Sequence, residues 1–278
     1  MNGKISITGD LGSGKSTIAK ILAEEFKAKY LSTGAIQRNI ASRYNMSTLE
    51  MNKYADLHKE IDDEIDNVLR DLNTSDKRFV IDSRLAWFFI PTSFKLYFTT
   101  DVEVAAKRVL NDSTRVNEDY STVEEAIKNI RERKKSENER FLKLYGANCV
   151  DVNSFDLILN TTELKTVVVS QFIANVLSGK TKSNNQVVWC NPEVLFPTES
   201  FSTPFDTKNE PITIENPVLV AEQQGALLIV DGHKRVSDAL NSKISVIPVK
   251  IVETKNISQK NTNEWAGFHG FSFYKELI

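Results

Sequence analysis

The sequence predicts an α/β protein, a parallel sheet with helices on both faces, followed by a smaller α+β module. Three observations carry this. Short β-branched apolar runs alternate with longer amphipathic runs through residues 1–178, as strands joined by helical crossovers require. A glycine-rich segment sits at the first strand-to-helix junction. Beyond a polar stretch at 178–186 the texture changes: six of the seven prolines lie there, and short strand-like runs dominate.

Residues 4–8 (KISIT) read as the first strand. Residues 15–27 show helical periodicity, with Ile18, Ala19, Ile21, Leu22 and Phe26 on one side. A short strand is expected at 28–31, and helices at 34–44 and 49–72, the second heavily charged. Strands at 78–82 and 94–99 are followed by helices at 102–110 and 123–145. A strand at 155–160 and a helix at 164–177 close the first part. The stretch SGKTKSNNQ lacks apolar anchors, which sets a domain boundary there and divides the chain into 1–178 and 187–278; a surface loop within one domain is the alternative. In the second part strands are expected at 187–190, 218–222, 226–230 and 246–252, with a helix at 234–241. The tail from 256 to 278 holds Trp265, Phe268, Phe271, Phe273 and Tyr274.

Composition narrows the function classes. The 278 residues are 41% hydrophobic and 26% charged with a net charge of −2, so no global basic field marks a nucleic-acid or membrane-surface protein. No apolar run approaches the ~20 residues of a membrane span, and the N-terminus lacks a signal-peptide core. Cys149 and Cys190 show no metal spacing. A soluble cytoplasmic protein is the expectation, without membrane or nucleic-acid partners.

The chemistry begins at Gly9-Asp-Leu-Gly-Ser-Gly-Lys-Ser16, which fits G-x-x-x-x-G-K-[ST] between a strand and a helix. Gly9, Gly12 and Gly14 let the backbone amides converge on phosphate oxygens, and the helix dipole adds positive potential. Lys15 would reach the β- and γ-phosphates, and the Ser16 hydroxyl would ligate Mg²⁺. Ser13 and Thr17 complete the ATP-binding segment. Asp82 ends a strand from which it could hold Mg²⁺ through water, and Arg84 follows it. Arg131, Arg133 and Arg140 lie along a charged helix suited to a lid that closes over a migrating phosphoryl group. The same residues would also make a solvated helix with (i, i+4) ion pairs; their order in the chain favours the lid.

These stretches together resemble the cytidylate kinases, above all the short archaeal-type branch of these nucleoside monophosphate kinases. The resemblance spans residues 1–178. It rests on GDLGSGKST, on YLSTGAIQR at 30–38, on the acidic helix around EIDDEID at 60–66, and on VIDSRL at 80–85. RKKSENERF at 133–141, LYG at 144–146 and FDLILNT at 155–161 complete it. It implies ATP and Mg²⁺ as cofactors, Arg38 on the acceptor phosphate and Arg84 near the acceptor nucleotide. Leu11, Gln37 and Asn148–Val150 depart from the family's usual residues. The carboxylate-and-arginine pair that grips cytosine in bacterial members has no clear match.

In the second part, a buried strand runs into Asp231-Gly-His-Lys-Arg235 and then a helix, a phosphate-binding arrangement of turn, helix N-terminus and cations. On spacing alone a tight turn with a solvated capping cluster describes it better. His233 has no partner at metal spacing. Residues 187–254 resemble the ParB/sulfiredoxin-like fold, closest to its free-serine-kinase members. That resemblance implies a second phosphate site at Asp231, Gly232, His233 and Arg235, with Glu199 as the residue that activates a hydroxyl. The reading is therefore ATP-dependent phosphoryl transfer to a nucleoside monophosphate, CMP or dCMP first, with a second nucleotide-phosphate-binding domain. Two alternatives are a kinase for another small acceptor, such as a free hydroxy amino acid, and a nucleotide-sensing regulatory protein with little turnover.

Overall fold

The computed structural model describes residues 3–46, 48–55, 58–112, 121–182, 187–198, 211–223 and 226–252. Five strands of the first part pair in parallel: β1 (Lys4–Gly9), β2 (Lys29–Ser32), β3 (Phe79–Asp82), β4 (Phe94–Thr99) and β5 (Leu157–Asn160), in the order β2-β3-β1-β4-β5. Helices α1 (Lys15–Glu25), α2 (Thr33–Arg43), α3 (Thr48–Ala55), α4 (Lys59–Thr74), α5 (Ala86–Phe89), α6 (Val102–Leu110), α7 (Val123–Tyr145) and α8 (Thr166–Leu177) connect and cover them. Among the described residues no helix is long and apolar enough to cross a membrane.

Local chemistry sets the ends of the long helices. Asp101 caps α6 by accepting from the amides of Glu103 and Val104 at 2.8 and 3.1 Å. Thr122 accepts from the Glu125 amide while the Glu125 carboxylate accepts from the Ser121 amide, which opens α7. Gly146, at φ 68°, closes it.

The single helix expected over 49–72 is two helices. His58, the residue before α4, has φ −128° and ψ 83°, and its ring stacks on Tyr54 with centroids 3.7 Å apart. The break lets Met51 and Ala55 of α3 pack with Ile40 and Ala41 of α2 and Ile61 of α4, while α4 takes its own direction. Helix α5, 3-10 turns at Val152–Ser154 and Pro192–Val194, and the two-residue strand β7 (Leu195–Phe196) were too short to carry a periodic signal.

The second part adds β6 (Val188–Cys190), β7, β8 (Val218–Gln223), β9 (Ala226–Asp231), α9 (His233–Asn241) and β10 (Ile247–Ile251). These strands continue the same sheet. β6 lies parallel to β5, with Ile158 opposite Val188 and Leu159 opposite Trp189, and the order runs on as β6-β10-β8-β9-β7 in mixed directions. The core of one face likewise runs from Phe79 and Trp87 through Phe155 and Ile158 to Val188, Val218, Val236 and Val249. The strands that follow the stretch at 178–186 thus extend the sheet and core of the first part, and residues 183–186 lie outside the described residues. The tail 256–278 lies outside the described residues.

Cutting the chain after residue 179 would strip β5 of its β6 partner and uncover apolar surface on the shared face. A 1–179 fragment is therefore expected to melt below the full chain by thermal unfolding. Equal midpoints would mean that the second half adds nothing to the stability of the first.

Candidate active site

A cavity of ≈ 550 Å³ opens at the C-terminal edge of the parallel strands, where ligands of open α/β sheets bind, and its size suits a small molecule. The glycine loop between β1 and α1, α2, α4, the segment after β3, α6 and α7 line it.

The loop sits against β4. Gly9 has φ 128°, and a Cβ there would collide with the Phe98 backbone, so no other residue fits. The Asp10 amide donates to the Phe98 carbonyl at 2.8 Å. Lys15 Nζ folds back to donate to the Asp10 carbonyl and to Ser13 Oγ at 3.4 Å. Ser16 Oγ donates to Asp82 Oδ2 at 2.5 Å, joining the start of α1 to the end of β3. These are two hard oxygen donors, the type Mg²⁺ prefers. Gly12, Ser13, Gly14, Thr17, Arg38 and Arg84 also line the cavity.

Spacing on α7 decides which of its arginines take part. Arg133, Glu137 and Arg140, at i, i+4 and i+7, share a face and line the cavity, whereas Arg131, two residues before Arg133, points away and is exposed. Glu137, only 6% exposed, accepts from Arg133 Nε at 2.8 Å and pairs with Arg84 Nε at 2.9 Å. Arg84 also donates to the Gly9 carbonyl. Burial pushes the Glu137 carboxyl up, but Arg84, Arg133 and Arg140 outweigh it and hold it at about 2.

The α4 wall is acidic. Asp62 and Asp66, one turn apart and 5% and 3% exposed, line the cavity. Asp62 Oδ1 pairs with Arg140 Nη2 at 2.7 Å. Asp66 accepts from the Tyr145 hydroxyl and meets Arg70 at 3.5 Å; burial pushes its carboxyl up.

Sequence reasoning missed Glu137, Arg108 and Lys134. Arg108 of α6 donates to the carbonyls of Gly12, Thr161 and Thr162 at 3.2, 3.0 and 2.7 Å, tying the loop to the end of β5. Lys134 pairs with Asp10 Oδ1 at 2.6 Å. The spacing of Arg133, Glu137 and Arg140 was a usable signal; Arg108 and Lys134 gave none, because the carbonyls that Arg108 holds and the Asp10 that Lys134 meets lie 53 or more residues away.

The 231–235 turn forms as expected, with Gly232 at φ 101° between β9 and α9. His233 and Arg235 are engaged within the protein. Arg235 donates to the Asn216 carbonyl and Oδ1 at 2.7 and 2.8 Å and to the Pro217 carbonyl at 3.2 Å, and it pairs with Asp231 at 3.1 Å. Buried His233 accepts from the Thr198 amide through Nε2 at 3.2 Å. Glu199 lies outside the described residues.

Residues 4–163 match the model of the cytidylate kinase-like family. A cytidylate kinase of Sulfolobus acidocaldarius is 37% identical over 179 residues, covering 64% of this chain and 95% of that protein. A cytidylate kinase of Sulfurisphaera tokodaii is 34% identical over 63% of this chain and 94% of its own. One from Pyrococcus horikoshii is 35% identical over 57% and 80%.

The low proton affinity of Glu137 sets a pH dependence. Its folded value lies below the usual carboxylate range, so its contribution to stability is complete above that range and is lost as pH falls toward about 2. Between pH 5 and pH 3 the thermal midpoint should fall more steeply for the wild type than for Glu137→Gln. Parallel curves would show that the carboxylate is not held ionised by the arginines.

Proposed function

Because the chain belongs to the cytidylate kinase-like family and is a phosphotransferase of the nucleoside monophosphate kinase type, we propose that its donor is Mg·ATP and its first-choice acceptor is CMP or dCMP. One observation carries the reading: the glycine loop with Lys15, the Ser16–Asp82 pair, Arg133 and Arg140 of α7 and the acidic wall of α4 face one cavity.

In this reading Lys15 and the loop amides bind the ATP phosphates, and Arg38 and Arg84 fix the acceptor phosphate. Ser16 and Asp82 would hold Mg²⁺, which neutralises phosphate charge. Arg133 and Arg140 offset the negative charge that spreads over the moving phosphoryl group. The acceptor phosphate is already a competent nucleophile, so no side chain needs to remove a proton; positioning and charge neutralisation carry the catalysis.

The acidic wall supports a cytosine. The 4-amino group of cytosine donates where uracil presents a carbonyl oxygen, so a buried carboxylate attracts the first and repels the second.

Lys15→Ala should abolish transfer while leaving the thermal midpoint within a few degrees, measured by a coupled ADP-release assay beside unfolding; unchanged transfer would remove the loop from the mechanism. A panel of CMP, dCMP, UMP, AMP and free serine tests the acceptor. Asp62→Asn and Asp66→Asn should each lower the CMP-over-UMP ratio of kcat/KM by roughly ten- to a hundredfold, the worth of a hydrogen bond to a charged group. If neither variant changes the ratio, base selection lies elsewhere.

A further inference from the structure

Glu137 has no part in the scheme above, yet it is a buried carboxylate facing a cavity that collects phosphates. An anion there opposes phosphate binding, so its presence calls for a function that outweighs the repulsion. It is no general base: an acceptor phosphate needs none, and both carboxylate oxygens already meet guanidinium groups.

We propose that Glu137 is a positioning residue that fixes the guanidinium planes of Arg84 and Arg133 in the orientation in which Arg84 meets the acceptor phosphate and Arg133 the transferring phosphoryl group. The proposal rests on the phosphotransferase reading. Three observations support it. Each carboxylate oxygen takes one arginine, and both are gripped at Nε, the edge that sets the plane in which a guanidinium presents its terminal nitrogens. The two arginines come from separate elements, Arg133 from α7 and Arg84 from the segment after β3, so Glu137 fixes their separation as well as their tilt. Arg84 also donates to the Gly9 carbonyl, and Lys134, three residues before Glu137, reaches Asp10 at 2.6 Å. The face of α7 that carries Glu137 is thereby registered on the phosphate loop at two points.

The charge arithmetic agrees. Arg84, Arg133 and Arg140 all act on the Glu137 carboxylate, and removing it leaves like charges facing one another in a partly dry cavity. They would separate, and a displacement of about 1 Å is enough to cost roughly a hundredfold in rate.

The test is Glu137→Gln in the full chain, assayed with ATP and whichever monophosphate of the panel the wild type uses best. The expected result is a kcat roughly ten- to a hundredfold lower, with KM for ATP within about threefold and KM for the acceptor raised, because Arg84 holds the acceptor phosphate. A double-mutant cycle with Arg133→Lys should be strongly non-additive, because the two residues act as a unit. A carboxylate that only supports the fold would lower the thermal midpoint and leave kcat per folded molecule unchanged, and that result overturns the proposal, as does additivity in the cycle. If Glu137→Gln does not fold, Glu137→Asp keeps the charge and draws the carboxylate back by one methylene. Its kcat should still fall, and a wild-type kcat there overturns the proposal equally. A wild type that ignores CMP but uses another monophosphate counts against the acceptor assignment and leaves the Glu137 result readable.

Discussion

Lys15, Arg38, Arg84, Arg108, Arg133 and Arg140 line a single cavity, and cations gathered this closely repel one another until a phosphate arrives. The site depends on how that repulsion is contained. Glu137 stands between Arg84 and Arg133, Asp62 faces Arg140, and Asp10 faces Lys134. Arg108 is held instead by three backbone carbonyls. Magnitudes say which pairs matter. The exposed Arg43–Glu64 pair contributes about 0–1 kcal/mol, whereas removing one partner of a buried pair costs about 3–5 kcal/mol, because the other charge is left stranded. The buried carboxylates therefore shape the site, and the many surface charges of α7 do not.

Two helices supply this arrangement through their periodicity. On α7 the positions 133, 137 and 140 share a face; on α4 the positions 62, 66 and 69 do. The cavity is the space between those faces, with the glycine loop at one end. The loop's position is set in turn by backbone packing. Gly9 lies so close to β4 that a side chain cannot fit, and Thr161, just after β5, donates to the Ser13 carbonyl at 3.0 Å. The phosphate-binding loop is held by the ends of the strands beside it, and the charged helices are hung around it.

Most of the first half was legible because its signals are local. Short apolar runs marked β1, β3 and β4; longer helical runs marked α6 and α7; the glycine loop announced itself with its flanking strand and helix. The break between α3 and α4 was not legible, since charged residues on both sides keep helical periodicity and the break is set by packing on α2. Arg131 illustrates a related limit: composition marks it as one more lid cation, and only its angular distance from Arg133 removes it from the cavity. Arg108 was invisible, because its importance lies in carbonyls that the fold brings from distant segments. For the 231–235 turn, the strand, glycine and helix were readable, but the use of Arg235 to hold the 216–217 carbonyls depends on where β8 begins.

The continuity of the sheet bears on the site through β5. Without β6, this strand would be an open edge carrying Ile158 and Leu159, an exposed template for mispairing. With β6 beside it, β5 has partners on both sides and fraying is suppressed. Its end is where that order is needed. Thr161 bonds the glycine loop, the carbonyls of Thr161 and Thr162 hold Arg108, and Thr162 accepts from the Asp101 amide at the start of α6. At the end of β6, Asn191 reaches the Glu163 carbonyl at 3.5 Å, one residue further along. The second half therefore meets the catalytic half where β5 hands over to the phosphate loop, and pairing on one side of that strand is felt as rigidity on the other.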